Sequence, residues 1–313
     1  MSSAALNSTF PISASVGTAA QNIMTPDSET DIAARTFSGI NPATVDPIYE
    51  AAARTLWIFM QPDGRPSFTP QLLRDLHLTQ ATLSQVVTSA GTEARPVRHV
   101  VVASHVPGIF NLGGDLALFS KKIRENAREE LRRYAHACVD VVFANADGYG
   151  HDLTTVALVQ GDALGGGFEA ALSCDVIIAE KDAVFGLPEV LFNLFPGMGA
   201  YTLLSRRIGM KAAEKMILSG QTYSAGELHT MGIVDVLAEP GEGEAAVRDY
   251  LSRLDRRYNS HHAMSRVRQH VNPVSHQELR DVTDIWVDAA MKLTDLYQPF
   301  LDQTHGVPIG LKM

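Results

Sequence analysis

Cysteine, basic residues and long apolar runs are all scarce in this 313-residue sequence. The only two cysteines, Cys138 and Cys174, lack the C-x-x-C spacing that is typical of zinc sites and redox pairs, so we expect two buried thiols. No apolar run approaches the roughly 18 residues that a membrane-spanning helix needs, so we expect no membrane span. Acidic residues outnumber basic ones by 35 to 26, which argues against nucleic acid as the main partner.

The N-terminal stretch is also poor in positive charge. Its first basic residue is Arg35, so it has neither the basic start of a secretory signal nor the arginines of an organellar transit peptide. We therefore expect a cytoplasmic location. Residues 1–45 are rich in Ser, Thr, Ala, Asn and Pro without a clear period, which predicts a mobile tail.

Strand and helix patterns alternate through the middle of the chain. The segments "LWIFM", "VRHVVVAS" and "TTVALVQG" are typical of strands, and a long helical pattern runs from about Leu118 to Ala144. This alternation predicts an α/β fold with parallel strands. Past residue 240 the strand patterns end and helical periodicity continues, most clearly over 279–301. We expect a catalytic core over 46–240 and a helical region over 241–313.

Three consecutive glycines, Gly165 to Gly167, separate a strand pattern from a helix predicted over about 166–174. An amide at the start of a helix has no intrahelical partner and can donate to a ligand. The phosphate-binding patterns G-x-G-x-x-G and G-x-x-x-x-G-K-[ST] are absent, so an oxyanion donor is the better functional interpretation. A second loop, "FNLGGD", offers Gly114 with Gly113 beside it. Simple tight turns explain these glycines equally well.

Two carboxylates lie in apolar surroundings near strand ends. Glu169 follows the glycine triplet, and Glu189 follows Pro188 in "FGLPEVLF". Such a pair suits general acid and base catalysis, although an inert acid in the first turn of a helix is a common alternative. Trp286 is most simply a core residue, and as an aromatic it could also line a pocket for an apolar chain.

The segment "ALVQGDALGGGFEAALSCDVIIAEKDAVFGLPEVLFNLFPGMGAYTLLSRRIG" resembles the signature of the crotonase (enoyl-CoA hydratase/isomerase) superfamily, as does "LSGQTYSAGELHTMGIVDVL". Together they extend the resemblance over about residues 50–240. Within that superfamily, "FNLGGDLALF" and "GLPEVLFNLFPGMGAY" are similar to the bacterial diffusible signal factor synthases, which make cis-2-unsaturated fatty acid signals.

The resemblance implies a spiral core of ββα repeats with a C-terminal helical region, often in a trimer. It implies that Glu169 and Glu189 are catalytic and that the amides of Gly114 and Gly166 form an oxyanion hole. Gly113, Met198 and Trp286 fall where such synthases line the acyl pocket. No metal and no cofactor is implied.

The resemblance also implies the partners. The substrate is expected to be an acyl carrier protein thioester, or else an acyl-CoA, and a sensor protein is a possible regulatory partner. An acidic carrier could dock on the basic clusters at 121–128 or 206–211. The alternative function is an ordinary enoyl-CoA hydratase of fatty-acid metabolism.

Overall fold

The structure, a computed structural model, describes residues 28–91 and 94–293. Its helices are α1 Glu29–Ser38, α2 Pro70–Ala90, α3 Leu116–Arg124, α4 Arg128–Ala146, α5 Gly166–Ser173, α6 Ala200–Ile208, α7 Met210–Ser219, α8 Ala225–Thr230, α9 Gly243–Asp255, α10 Tyr258–Val271 and α11 His276–Ala290. Its strands are β1 Val45–Glu50, β2 Thr55–Met60, β3 His99–Ser104, β4 Ile109–Asn111, β5 Thr154–Val159, β6 Asp162–Leu164, β7 Val176–Glu180, β8 Val184–Gly186, β9 Thr222–Ser224 and β10 Val236–Ala238. Short 3-10 helices lie at Ala51–Ala53, Gly148–Gly150 and Pro188–Phe192.

Two sheets organise the core. The larger has the order β1-β2-β3-β5-β7-β10 and is parallel except between β1 and β2. The smaller has the order β4-β6-β8-β9 and is parallel except between β8 and β9. Three times in succession the chain passes through the larger sheet, then the smaller sheet, and then enters a helix. This repeat is the expected ββα spiral, and the α/β prediction is confirmed.

Apolar side chains cover both faces of the larger sheet. Along β3, Val100 and Val102 pack into the main core while Val101 faces the opposite side, as the two-residue period of a strand requires. On that opposite side, Val247 and Leu251 of α9 pack against the sheet. A sheet buried on both faces is typical of parallel α/β proteins. Over the described ranges, every helix is too short or too polar to cross a bilayer.

The N-terminal tail prediction is wrong for the part of it that the structure describes. Residues 28–38 form α1 with its N-cap, and Ser28 and Asp31 make a reciprocal capping box. Phe37 of α1 is buried, and its ring lies 5.6 Å from that of Tyr49. The local signal was the spacing of a serine and an acid three residues apart, which caps a helix start. Residues 1–27 lie outside the described residues.

Two long helical predictions also change. The pattern over Leu118 to Ala144 forms two helices, α3 and α4, because Asn126 between them takes a positive φ of 51°. Asparagine tolerates this left-handed conformation better than most residues. The helix predicted over 279–301 is α11, which begins earlier, at His276, because Ser275 caps it. Its predicted continuation from residue 294 lies outside the described residues.

The helix α11 packs along α4 and closes one side of the core. Its contacts with α4 combine apolar packing with ion pairs that cross between the two helices. The ion pairs are Arg128–Asp288, Arg132–Asp284 and Arg280–Asp140, and the rings of His136 and His276 form hydrogen bonds with Asp284 and Asp140. Within the described residues past Ala238, the chain forms helices and no strand. The contacts with α4 hold α11 beside the loops that follow the smaller sheet.

Candidate active site

The two glycine-rich loops meet at one edge of the smaller sheet. Because β4 and β6 are parallel neighbours, the loops that follow them leave the sheet on the same side. A Cβ built on Gly113 would lie 2.8 Å from the backbone nitrogen of Gly166, and one built on Gly166 would lie 3.5 Å from that of Gly114. The structure therefore brings together the two loops that the sequence predicted would converge.

The glycine triplet meets two separate steric requirements. Gly165 has φ of 52° and ψ of −125°, a conformation that side chains disfavour, and a Cβ there would lie 2.5 Å from Oε1 of Glu189. A Cβ on Gly167 would overlap the carbonyl oxygen of Asn111, so this glycine lets α5 approach β4. The turn and the amide-donor interpretations are therefore compatible, because the same glycines serve both.

Two backbone amides remain as donors where the loops meet. Gly166 is the first residue of α5, so its N–H lacks an intrahelical acceptor. The neighbouring amides are already used: Gly165 donates to β8 at 2.8 Å and Gly113 donates to Oδ1 of Asn111 at 2.7 Å. Among the described residues, the N–H groups of Gly114 and Gly166 have no hydrogen-bond acceptor.

The carboxyl group of Glu169 lies at the N-terminus of α6. Glu169 is 1% exposed, and its Oε1 accepts hydrogen bonds from the N–H of Met198 at 2.7 Å and from that of Ala200 at 2.8 Å. The N-cap residue of α6 is Gly199, which has no side chain to cap the helix. Glu169, from α5, caps the N-terminus of α6 instead. Burial raises the pKa of Glu169 to about 7, although hydrogen bonds from the amides of this turn oppose the rise.

Glu189 lies in the 3-10 helix that follows β8. Its Oε1 is next to Gly165, and its Oε2 is buried without a hydrogen-bond partner among the described residues. Burial raises the pKa of Glu189 to about 8, and the negative charge of Glu169 adds to the rise. A carboxyl group with one oxygen buried away from any donor favours its neutral form.

The two glutamates behave as a coupled pair. Two like charges in one buried site do not ionise together easily, so the pair releases its two protons at different pH values. The hydrogen bonds favour Glu169 as the ionised member, because two amides donate to its Oε1, whereas Oε2 of Glu189 has no partner among the described residues. One group can then accept a proton while the other donates one, which is the arrangement that acid–base catalysis needs.

Two of the three residues expected to line a pocket lie at the loop contact. Gly113 touches the backbone of Gly166, and a Cβ on Gly166 would overlap the sulfur of Met198. Met198 is 8% exposed, and its own backbone amide binds Glu169. Met198 thus links the glycine loops to the turn that holds the carboxylate.

Trp286, the third residue, reaches the site through two contacts. A Cβ on Gly197 would overlap its ring, and the ring of Phe119 meets it edge to face at a centroid distance of 5.0 Å. Phe119 in turn closes over Gly114, where a Cβ would overlap its ring. Trp286 belongs to an apolar cluster that we name the α4–α11 cluster. Its buried members are Leu131, Ala135, Phe192, Leu194, Trp286, Val287, Ala290 and Leu293.

Sequence reasoning missed three residues that shape this site. Asn111 accepts the Gly113 amide, Phe119 covers Gly114, and Thr283 donates to the carbonyl oxygen of Gly197 at 2.7 Å. A local signal existed only for Asn111, a polar residue at the end of an apolar strand. The predicted buried thiols, Cys138 and Cys174, are confirmed.

Known proteins share both the sequence pattern and the fold. The profile of the enoyl-CoA hydratase/isomerase family matches residues 72–292, well over half of the chain. The probable enoyl-CoA hydratase 2, mitochondrial, of Arabidopsis thaliana is 35% identical over 145 residues, 46% of each chain. The chain spans about half the length of the curated relatives it matches.

Two solved structures illustrate the likeness in fold. The enoyl-CoA hydratase of Bacillus halodurans has a TM-score of 0.68 at 20% identity and covers 83% of this chain and 100% of its own. DspI of Pseudomonas aeruginosa has a TM-score of 0.58 at 21% identity and covers 83% of this chain and 93% of its own. From the family profile and the ββα spiral together, we conclude that the chain belongs to the enoyl-CoA hydratase/isomerase family of the crotonase superfamily.

Proposed function

We propose that the protein dehydrates a 3-hydroxyacyl thioester of an acyl carrier protein and then hydrolyses the thioester. The product is a cis-2-unsaturated fatty acid that serves as a quorum-sensing signal. The observation that carries the proposal is a pair of carboxyl groups beside the amides of Gly114 and Gly166: Glu169 is buried, and Glu189 has a buried Oε2 without a partner among the described residues.

In the dehydration, Glu169 removes a proton from C2 of the substrate. Glu189 holds the proton of the pair and gives it to the C3 hydroxyl, so that the C3–O bond breaks, water leaves and the C2–C3 double bond forms. Negative charge develops on the thioester oxygen, and the amides of Gly114 and Gly166 donate to it. Loss of one such donor typically costs about 3 kcal/mol of transition-state stabilisation.

The second step uses the same groups. A water molecule, activated by a glutamate, adds to the thioester carbonyl carbon, and the two amides stabilise the resulting oxyanion. The C–S bond then breaks, the sulfur takes up a proton, and the products are the free acid and the carrier thiol. One site can therefore perform both reactions, because both place negative charge on the same oxygen.

The surroundings of the site suit an apolar acyl chain. In this proposal Gly113, Met198 and Trp286 line its pocket. Both Met198 and Trp286 are largely buried, and Trp286 continues into the α4–α11 cluster. Apolar lining with a few placed polar groups is the usual composition of a site for such a ligand.

An acidic carrier needs cations that are free to bind it. Most cations of the two predicted clusters already pair within the chain: Lys122 with Glu130, for example, and Arg206 with Glu278. Lys121 and Lys211 also pair, with the half-exposed Glu125 and Glu214, but their side chains are 65% and 95% exposed, and such exposed pairs are weak enough to give way to a carrier carboxylate. We therefore assign carrier docking to the surfaces around these two lysines, a narrower prediction than the whole clusters.

The alternative is an enoyl-CoA hydratase that uses the same two glutamates on coenzyme A thioesters. The names of the curated relatives favour it, since they include several enoyl-CoA hydratases. A trimeric assembly, a regulatory sensor partner and a cytoplasmic location stay predictions. Sensor binding that survives loss of both glutamates would separate such a regulatory role from catalysis.

Mass spectrometry of the products formed from 3-hydroxydodecanoyl carrier protein tests the proposal. We expect the wild type to release free cis-2-enoic acid and both Glu169→Gln and Glu189→Gln to lose that product. Glu244→Gln is the matched control, because Glu244 is a half-exposed acid on α9 that pairs with Arg248. A thioester-bound trans product without free acid would support the hydratase alternative instead.

A further inference from the structure

The turn at residues 197–200, whose amides bind Glu169, has few side chains that could pack and hold it in place. Its donors are the backbone amides of Met198 and Ala200, and between them Gly199 has a φ of 118°. Gly197 precedes them, so two of the four residues are glycines without side chains to pack. A turn of this composition needs support from a neighbouring element.

Helix α11 supplies that support at three points. The ring of Trp286 lies against Gly197, the Thr283 hydroxyl donates to the Gly197 carbonyl oxygen at 2.7 Å, and Leu279 lies 2.8 Å from a Cβ built on Gly199. Leu279, Thr283 and Trp286 are spaced four and three residues apart, which places them on one face of the helix. Thr283 is 1% exposed.

The Thr283 contact is directional in a way that the apolar contacts are not. The carbonyl oxygen of Gly197 and the N–H of Met198 are the two ends of one planar peptide unit. Fixing the oxygen therefore fixes the direction of the N–H, which donates to Oε1 of Glu169 at 2.7 Å. A donor on the oxygen also polarises the peptide and strengthens its N–H as a donor.

We propose that Thr283 is a positioning residue for Glu169, acting through the Gly197–Met198 peptide. The inference rests on the proposed role of Glu169 in proton transfer. Thr283 lies in the C-terminal region, 86 positions away in sequence from the carbonyl group that it binds. In this proposal it controls the basicity and the orientation of the Glu169 carboxylate.

The Thr283 hydroxyl has a second acceptor, the carbonyl oxygen of Leu279 at 2.8 Å. One hydroxyl carries a single proton, so the bond within the helix competes with the bond to Gly197. Substitution separates the roles. Thr283→Val keeps the shape and removes the donor, whereas Thr283→Ser keeps the donor and removes a methyl group.

Titration of Glu169 itself is the readout, because a merely structural role would not move it. Among the described residues, the titratable groups that act on Glu169 or respond to its charge are Glu189 and Cys138. Burial raises the pKa of the Cys138 thiol to about 12. The infrared carboxyl band is followed against pH in a Glu189→Gln background, where the two glutamates no longer titrate together. Subtracting the spectrum of the double variant Glu169→Gln/Glu189→Gln then isolates the band of Glu169.

We expect Thr283→Val to move the Glu169 titration upward by about half to one pH unit, the size of one modest hydrogen bond, and Thr283→Ser to match the wild type. The acid limb of kcat/KM moves with it, while KM changes little. An unshifted Thr283→Val titration, or equal shifts in both variants, overturns the inference. If Thr283→Val does not fold, Thr283→Ala gives the same comparison.

The titration and the product assay separate the two proposals. A shifted band in a protein that forms no enoic acid contradicts the proposed function and leaves the positioning role standing. Turnover that depends on Glu169, combined with an unshifted band, contradicts the positioning role alone.

Discussion

Replacing Glu189 by glutamine should stabilise the protein at alkaline pH and leave its stability at acid pH nearly unchanged. Glu189 has a buried Oε2 without a partner among the described residues, and burial together with the charge of Glu169 raises its pKa from 4.5 to about 8. A carboxyl group whose folded-state pKa is raised stabilises the fold fully below its unfolded pKa. That contribution is lost as pH rises through the folded pKa.

The size of the effect follows from the pKa difference. One pKa unit corresponds to about 1.4 kcal/mol, so the shift of Glu189 corresponds to on the order of 3–5 kcal/mol, the lower figure allowing for its coupling to Glu169. Ionisation of Glu189 should therefore lower the free energy of unfolding of the wild type by this amount between about pH 5 and pH 9, in addition to the loss that comes from Glu169. In Glu189→Gln the part that comes from Glu189 should disappear, because glutamine never ionises.

Urea unfolding followed by circular dichroism at pH 5, 7 and 9 measures the difference. Glu214→Gln is the control, since an exposed carboxylate paired with an exposed lysine contributes little at any pH. If the free energy of unfolding changes with pH in parallel for the wild type and Glu189→Gln, the conclusion that the charge of Glu189 destabilises the folded protein is refuted.

Two further predictions concern the oxyanion loop and carrier docking. In Gly114→Ala the new methyl group overlaps the Phe119 ring, so kcat should fall by roughly tenfold or more. A Cβ built on Gly226 has no neighbour within 4 Å, so Gly226→Ala should keep full activity. Equal turnover of the two variants would contradict the role of the Gly114 loop in catalysis. Charge reversal at Lys121 and Lys211 should raise KM for carrier-bound substrate and leave coenzyme A thioesters unaffected, and an unchanged KM would remove these lysines from the docking surface.

The sequence predicted the parts of the site that follow strand ends. Glycine loops after two parallel strands must leave the sheet on the same side, and for that reason the approach of Gly114 to Gly166 could be expected. Glu169 and Glu189 could be singled out because acids seldom occur in such apolar surroundings. The α/β architecture followed from the alternation of strand and helix patterns.

The contacts that tune the site could not be predicted in this way. The amides that hold Glu169 come from positions 29 and 31 residues further along the chain, and no local pattern relates a carboxylate to a distant turn. The bond from Thr283 to Gly197 spans a still longer separation. Helix α1 was missed for another reason, because its composition resembles a disordered segment and only its capping box distinguishes it.

The hydrogen bonds of Glu169 make its two carboxyl oxygens unequal. The amides of Met198 and Ala200 both donate to Oε1, so a proton that arrives at this residue is carried by Oε2. The glutamate then has one working oxygen in a fixed place, and a proton can move to or from the substrate along one line only. Exchange in deuterated water should therefore label C2 on a single face, leaving one of its two hydrogens untouched through many turnovers.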